Sequence, residues 1–250
     1  MRPYSGNVVT AAAVIIGDEI LSGKVRDTNG HRLIDLLRSV GVELCRITTI
    51  GDDPAQIAEE VGRCAARYDY VFTSGGIGPT HDDRTMEGIA QAFSVGLVRH
   101  PRLESLVRHY LGERVAEAAF KMAEVPEGTR LLGDGPVPAL TFRNIFILPG
   151  IPQFFVAQLE LVRSLFSGKS PTLHRLYLRA EECDIAELLG RVQRDLPSVK
   201  IGSYPRFGDP SYSVLVTVEG SDAGQVQTAL TELITRLPED RLLRVESGEE

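Results

Sequence analysis

The stretch Thr73-Ser-Gly-Gly-Ile-Gly-Pro-Thr-His-Asp-Asp-Arg-Thr-Met-Glu87 gathers the groups that can handle a phosphoryl anion. Gly75, Gly76 and Gly78 let the backbone take positive φ and approach a ligand closely. Pro79 and Thr80 lead toward a helix start, where free N–H groups attract negative charge. Thr73 and Ser74 enter the loop, and Thr85 adds a further hydroxyl. A tight strand-to-helix turn also accounts for the glycines, and neither Gly-Lys-Ser/Thr nor Gly-x-Gly-x-x-Gly is present. Asp82 and Asp83 follow, with Glu87 one turn on. Capping and dipole complementation explain one aspartate well and the trio less well. Carboxylate oxygens suit Mg²⁺ or Mn²⁺, and a metal would offset the repulsion between acidic side chains and an anionic ligand. His81 reads as a soft ligand, a phosphate donor or a surface residue, with the surface reading favoured.

Other loops carry matching groups. Gly17-Asp-Glu-Ile-Leu21 is followed by Gly23 and Asp27-Thr-Asn29, and Gly51-Asp-Asp53 lies further on. Asp53 suits a helix cap, whereas Asp18 and Asp52 suit a crevice shared with the glycine loop. Acidic residues at three successive strand ends point to one metal or ligand site more readily than to three caps. Pro149-Gly-Ile-Pro152 reads as a rigid turn beside that site. Ser74 is not in a Gly-x-Ser-x-Gly elbow, and no nucleophilic triad is evident. Tyr204 is read as a core residue in preference to a pocket aromatic.

These loops need strands and helices to hold them. Val8–Ile16 is an apolar, β-branched run of the kind buried on both faces of a parallel sheet. Thr28–Val40 has helical spacing and ends at Gly41. Val42–Ile50 and Tyr70–Ser74 read as strands; Asp53-Pro54 opens a helix, and Arg84–Phe93 is another. Pro101–Met122 is expected to be largely helical with a break near Gly112. Thr129–Phe142 holds short extended pieces, Asn144–Leu148 a buried strand and Pro152–Phe166 a helix. The alternation predicts an α/β fold: a three-layer α/β/α unit with a mostly parallel sheet over residues 1–168. After the linker Ser167–Pro171, the order changes to strand, helix, strand, strand, helix, strand. That order predicts a second, smaller α+β domain of split-βαβ type over residues 169–250. The last four residues are expected to fray.

The chain has 250 residues, 43% of them hydrophobic, and a formal net charge of −7, which argues against general attraction to nucleic acid. Cys45, Cys64 and Cys183 fit neither a disulfide framework nor a zinc site, and all three are expected to pack as small apolar residues in a reducing compartment. No signal-peptide pattern opens the chain and no run is long enough to span a membrane, so a cytoplasmic location is expected.

Taken together, Gly17-Asp-Glu-Ile-Leu, Asp27-Thr-Asn, the Gly75–Glu87 segment and Pro149-Gly-Ile-Pro resemble the molybdopterin-binding (MoaB/MogA-like) domain, in the branch at the N-terminus of CinA proteins and of eukaryotic FAD synthases. The resemblance spans about residues 8–168, and Gly202-Ser-Tyr-Pro is similar to the small domain that follows in that branch. It implies a phosphate, molybdate or Mg²⁺ site on Gly75, Gly76, Asp82, Asp83 and Glu87, with Asp18 and Asp52 nearby. It implies binding of molybdopterin, or hydrolysis of ADP-ribose or FAD pyrophosphate bonds with Mg²⁺, Mn²⁺ or Co²⁺. On that reading Asp82, Asp83 and Asp18 hold the metal and, with Glu87, do the chemistry, Glu87 or Glu19 being the carboxylate that accepts the proton. Thr73, Ser74, Gly75, Gly76, Gly78, Pro79, Thr80 and Thr85 form the binding loop. A nucleotide or pterin phosphate is the implied small-molecule partner, and a homo-oligomer is implied. The deamidase domain of CinA and the nucleotidyl-transfer domain of FAD synthase are not recognisable, so neither activity is expected. Gln153-Phe154-Phe155 stands where the family often places a glutamate.

Overall fold

A computed structural model describes residues 9–112, 116–208, 211–238 and 240–248. The expectations placed on Met1–Val8 and on the final two residues lie outside this range. The chain forms two compact units that divide between Gly168 and Lys169.

The first unit is built on a six-stranded sheet with the order β2-β1-β3-β8-β7-β6. Its strands are β1 (Val9–Ile16), β2 (Val42–Ile50), β3 (Tyr70–Ser74), β6 (Arg130–Leu132), β7 (Ala139–Phe142) and β8 (Ile145–Leu148). The pairs β2/β1, β1/β3 and β3/β8 are parallel, whereas β7 pairs antiparallel with both β8 and β6. β1 is buried on both faces from Ala11 to Ile16, as its unbroken apolar run predicts. Its small residues let helices approach from either side. Ala11 and Ala13 pack with α2 (Asn29–Ser39) and α6 (Pro152–Arg163) through Leu33, Leu37, Phe155 and Leu159. Ala12 and Val14 pack with α3 (Pro54–Arg67) and α4 (Thr85–Ala92) through Ile57, Val61 and Ile89. The three-layer, mostly parallel architecture is therefore present. A short α1 (Asp18–Leu21) that the sequence reading did not anticipate follows β1.

Asp53 caps α3 as expected, accepting from the N–H groups of Ala55 and Gln56 with Pro54 in the first turn. The stretch Pro101–Met122 is helical on both sides of a break at Gly112, as expected, but its second piece is a 3₁₀ helix. α5 (Pro101–Leu111) ends at Gly112, whose φ is +78°, and Glu117–Ala123 is a 3₁₀ helix. That tighter turn is pinned at Phe120, which is buried beneath the guanidinium groups of Arg108 and Arg99 at 4.5 and 5.0 Å. A small antiparallel pair, β4 (Leu97–Arg99) with β5 (Glu124–Pro126), closes the excursion. α6 stops at Arg163, and Phe166 beyond it packs edge-on against Tyr70 at 5.1 Å.

The second unit is a four-stranded antiparallel sheet, order β10-β11-β9-β12, of β9 (Thr172–Leu178), β10 (Lys200–Pro205), β11 (Val214–Gly220) and β12 (Leu242–Gly248). α7 (Glu182–Asp195) and α8 (Ala223–Arg236) supply the remaining core, and β11 sits between β9 and β10, as a split βαβ requires. Tyr204 is more than half exposed, so its core reading is overturned. Cys64 is buried, but Cys45 and Cys183 are exposed, which corrects their expected apolar packing. Among the described residues no helix is long and apolar enough to cross a membrane.

One buried charge braces the edge strand β2. Glu60 of α3 accepts from Arg46 Nε at 2.9 Å and the Thr48 hydroxyl at 2.8 Å, and pairs with Arg63. Burial alone would raise its pKa, but hydrogen bonds from Arg63, Thr48 and Arg46 outweigh it and hold the carboxyl at about 2. A depressed carboxylate pKa stabilises the fold above the unfolded value of 4.5, and that stability is lost as pH falls toward about 2. Glu60→Gln is expected to cost about 2 kcal/mol at neutral pH. It should also flatten the acid limb of stability, as read by urea unfolding at pH 7 and pH 3. An unchanged acid limb would contradict this role.

Candidate functional site

The carboxyl ends of β1, β2, β3 and β8 lie side by side, and their loops converge. Asn29, at the start of α2, ties them together: its Nδ2 donates to the Ser74 hydroxyl at 3.1 Å and to the Gly150 carbonyl at 2.9 Å. Asp27 holds that helix start, accepting from the N–H groups of Asn29 and Gly30 at 3.0 Å each.

At the end of β3 the chain turns sharply. Gly75 has φ +105°, and a Cβ there would collide with the Ile16 carbonyl, so strand-end contact and dihedral both require glycine. Gly75 donates to the Leu148 carbonyl at 3.1 Å, and a Cβ on Gly150 would lie 3.4 Å from the Gly75 Cα. The Thr85 hydroxyl donates to the Gly75 carbonyl at 2.8 Å, and the Thr85 N–H donates to the Gly76 carbonyl at 2.9 Å. The N–H (2.8 Å) and hydroxyl (2.5 Å) of Thr80 both donate to Asp83 Oδ2. A Cβ on Gly78 would meet that same carboxylate at 2.6 Å, so Gly78 lets Asp83 fold under the loop.

These bonds sort the loop residues named from the sequence. Thr73, Ser74 and Thr85 are buried; the Ser74 hydroxyl donates to the Pro149 carbonyl in the turn after β8, the Thr85 hydroxyl donates back to the loop, and the buried Thr73 hydroxyl has no partner among the described residues. Pro79 and Thr80 are exposed at its tip. The amides of Gly75, Thr80 and Thr85 are already used. Among the described residues, none accepts from the N–H groups of Gly76, Ile77 or Gly78. Three successive free amides in a turn with Gly76 at φ +65° form a concavity suited to an anion.

The carboxylates divide as well. Asp83 serves as an internal staple. Glu87 is held by Arg84 through Nε at 3.1 Å and Nη2 at 2.9 Å, and acts as a counter-ion. Asp82 is exposed and is held below the usual carboxylate range. The Thr80 hydroxyl, whose proton can rotate between neighbours, is the first cause; its own backbone amide follows, with the charges of His81 and Lys121 adding to them. His81 is almost fully exposed, 3.9 Å from Asp82, in keeping with the surface reading. Asp18 donates its N–H to Asp52 Oδ2 at 2.9 Å, and its carboxylate lies against Gly51. Asp52 is raised above the usual range chiefly by burial; the Asp18 N–H opposes this, and the charges of Asp18, Glu19 and Asp82 add to it. The loop after β3 and the ends of β1 and β2 therefore share one negative field. Among the described residues no three His, Cys, Asp or Glu side chains are grouped as a ready metal cage.

Sequence reasoning missed Lys121. It projects from the 3₁₀ helix and donates through Nζ to the Thr80 carbonyl at 2.7 Å, with Glu87 4.0 Å away. No motif marks it; only the anchoring of Phe120 places it there.

Residues 12–168 match the family model described as "Probable molybdopterin binding domain", and residues 171–246 match "FAD synthase, middle domain". The chain is 33% identical to a "Probable FAD synthase" of Caenorhabditis elegans over 90% of its own length and 49% of that protein's. It is 29% identical to a "CinA-like protein" of Desulfosudis oleivorans, over 87% of this chain and 56% of that one. A protein of Archaeoglobus fulgidus is 34% identical over 91% of this chain and 98% of its own. The chain thus spans about half the length of the FAD synthase and CinA-like relatives it matches. Among solved structures, CinA from Thermoplasma acidophilum, a protein of unknown function, superposes with a TM-score of 0.57 at 28% identity. That match covers 62% of this chain and 96% of that one.

Proposed function

The chain belongs to the molybdopterin-binding-domain family, in company with CinA-like proteins and FAD synthases, and from that membership we propose that it binds and hydrolyses the pyrophosphate bond of a dinucleotide of the ADP-ribose or FAD class. The observation that carries the reading is the trio of unpartnered amides at Gly76, Ile77 and Gly78, set against an acidic crevice. An amide cradle orients a pyrophosphate, but carboxylates alone would repel it. A divalent cation such as Mg²⁺, Mn²⁺ or Co²⁺ reconciles the two. On this reading Asp82 and Asp18 would supply hard oxygens, since Mg²⁺-type ions are commonly held by one or two carboxylates together with ligand phosphates. When bound, such an ion polarises a phosphoryl oxygen and acidifies a water. Asp83 keeps the loop in shape for this, through Thr80. Glu87 is engaged by Arg84, which leaves Glu19, exposed at the end of β1, to accept the proton of the attacking water.

The family description favours a second reading, in which the same cradle holds molybdopterin without hydrolysis. A panel of ADP-ribose, FAD and NAD with Mg²⁺, Mn²⁺ or Co²⁺ separates the two. Release of AMP from ADP-ribose or FAD is expected. No turnover with any metal at high enzyme concentration, combined with a rise in melting temperature with molybdopterin alone, would establish the second reading instead.

A further inference from the structure

Lys121 is placed unusually well for a lysine with so little to gain where it is. Its ammonium is only partly exposed, donates to one backbone carbonyl, and stands 4.0 Å from a carboxylate already satisfied by Arg84. The carbonyl it grips belongs to Thr80, two residues beyond the last free amide of the anion loop. The preceding residue, Phe120, is fixed by two guanidinium groups, and Arg99 is further tied to Glu117 at 2.8 Å. A rigid support therefore carries one flexible cation to the rim of a loop whose other charged side chains are mostly acidic.

We propose that Lys121 is the ligand-binding cation of this site. Resting on the Thr80 carbonyl in the free protein, it swings onto a phosphoryl oxygen of a pyrophosphate-bearing ligand seated on the Gly76–Gly78 amides. A phosphate oxygen is a stronger acceptor than a neutral carbonyl, so the exchange is favourable while the carbonyl returns to water. Lysine suits this use: it is a compact charge on a flexible stem with three donors, and a short swing costs it no fixed fork geometry. It also gives the loop positive charge that does not depend on a metal. This inference rests on the pyrophosphate reading for its ligand, but not on hydrolysis.

The test is equilibrium binding of ADP-ribose, with inorganic pyrophosphate as competitor and adenosine as the phosphate-free control, across a series of NaCl concentrations with EDTA present. Lys121→Met is expected to weaken ADP-ribose and pyrophosphate about tenfold or more, as loss of a charge-assisted hydrogen bond should. It should also flatten the dependence of affinity on salt, since one screened attraction is gone. Adenosine should be unaffected, and Lys121→Arg should stay within about threefold of wild type because the charge remains. A merely structural lysine would lower the melting temperature of both variants without altering the salt dependence. That result, or wild-type affinity in Lys121→Met, overturns the proposal. A wild type that binds ADP-ribose but never cleaves it sinks the hydrolase reading and leaves this one standing. A wild type that binds no phosphorylated probe in EDTA overturns this proposal, and one that also binds none with Mg²⁺ in place of EDTA overturns both.

Discussion

Alanine in place of Gly75 is expected to cost the first unit about 4 kcal/mol, enough to lower its melting temperature by roughly 10 °C. Two penalties add. The residue sits at φ +105°, where an L side chain is strained, and the new Cβ would meet the Ile16 carbonyl, a backbone atom of the neighbouring strand β1 that cannot rotate away. Relief would require parting β3 from β1 where their loops begin, which breaks the bond from the Gly75 N–H to Leu148 and the bond from Thr85 to the Gly75 carbonyl. Gly78→Ala provides the contrast. Its Cβ meets only the end of the Asp83 side chain, which can turn aside. That variant should lose about 1 kcal/mol, close to the value of the Thr80–Asp83 hydrogen bonds it displaces. Calorimetry on the two proteins measures the difference; a Gly75→Ala variant within about 1 kcal/mol of wild type would show that this strand end is not the rigid node described.

Asp82→Ala and Asp83→Ala should fail in different ways although the residues are adjacent. Asp82 is exposed and, among the described residues, has no structural bond to lose beyond its local turn. Its removal is expected to leave the melting temperature unchanged and to reduce AMP release roughly 100-fold, the scale of losing one charge-positioning group in a phosphoryl-transfer site. Asp83 accepts both donors of Thr80 and holds the loop closed. Its removal should destabilise the unit by about 1–2 kcal/mol and weaken ligand binding itself. Raising the metal concentration should partly restore the Asp82 variant, which has lost a metal ligand, and not the Asp83 variant, which has lost the shape of the loop. Equal melting temperatures and equal activity losses in the two would refute the division between staple and ligand.

How much of this the sequence disclosed depends on the range of the contact concerned. β2 and β3 run over the residues that their apolar runs mark, because a turn residue ends each one. Asp53 was legible as a cap because capping is settled within three residues. The loop's glycines and acids were visible as types, but their partners were not. Thr73, Ser74 and Thr85 look like ligand-facing hydroxyls in a string of letters, yet the sheet and α4 turn them inward. Asp83 looks identical to Asp82 until Gly78 is seen to admit it beneath the loop. Lys121 lies 41 residues from Thr80 in the chain, within a short 3₁₀ turn that has no periodic signature, so nothing local connects the two.

The Asn29 side chain carries a consequence for how the molecule assembles. Its two hydrogen bonds close chain loops of 45 and 121 residues, the second reaching Gly150 after β8. Contacts so distant along the chain form only after the intervening segments have found their places, because closure entropy must be met before the contact returns anything. The cradle is therefore a late product of folding. A nascent or partly opened chain can hold most of its helices and its first three strands and still have no anion site, so competence to bind reports that the whole first unit has closed.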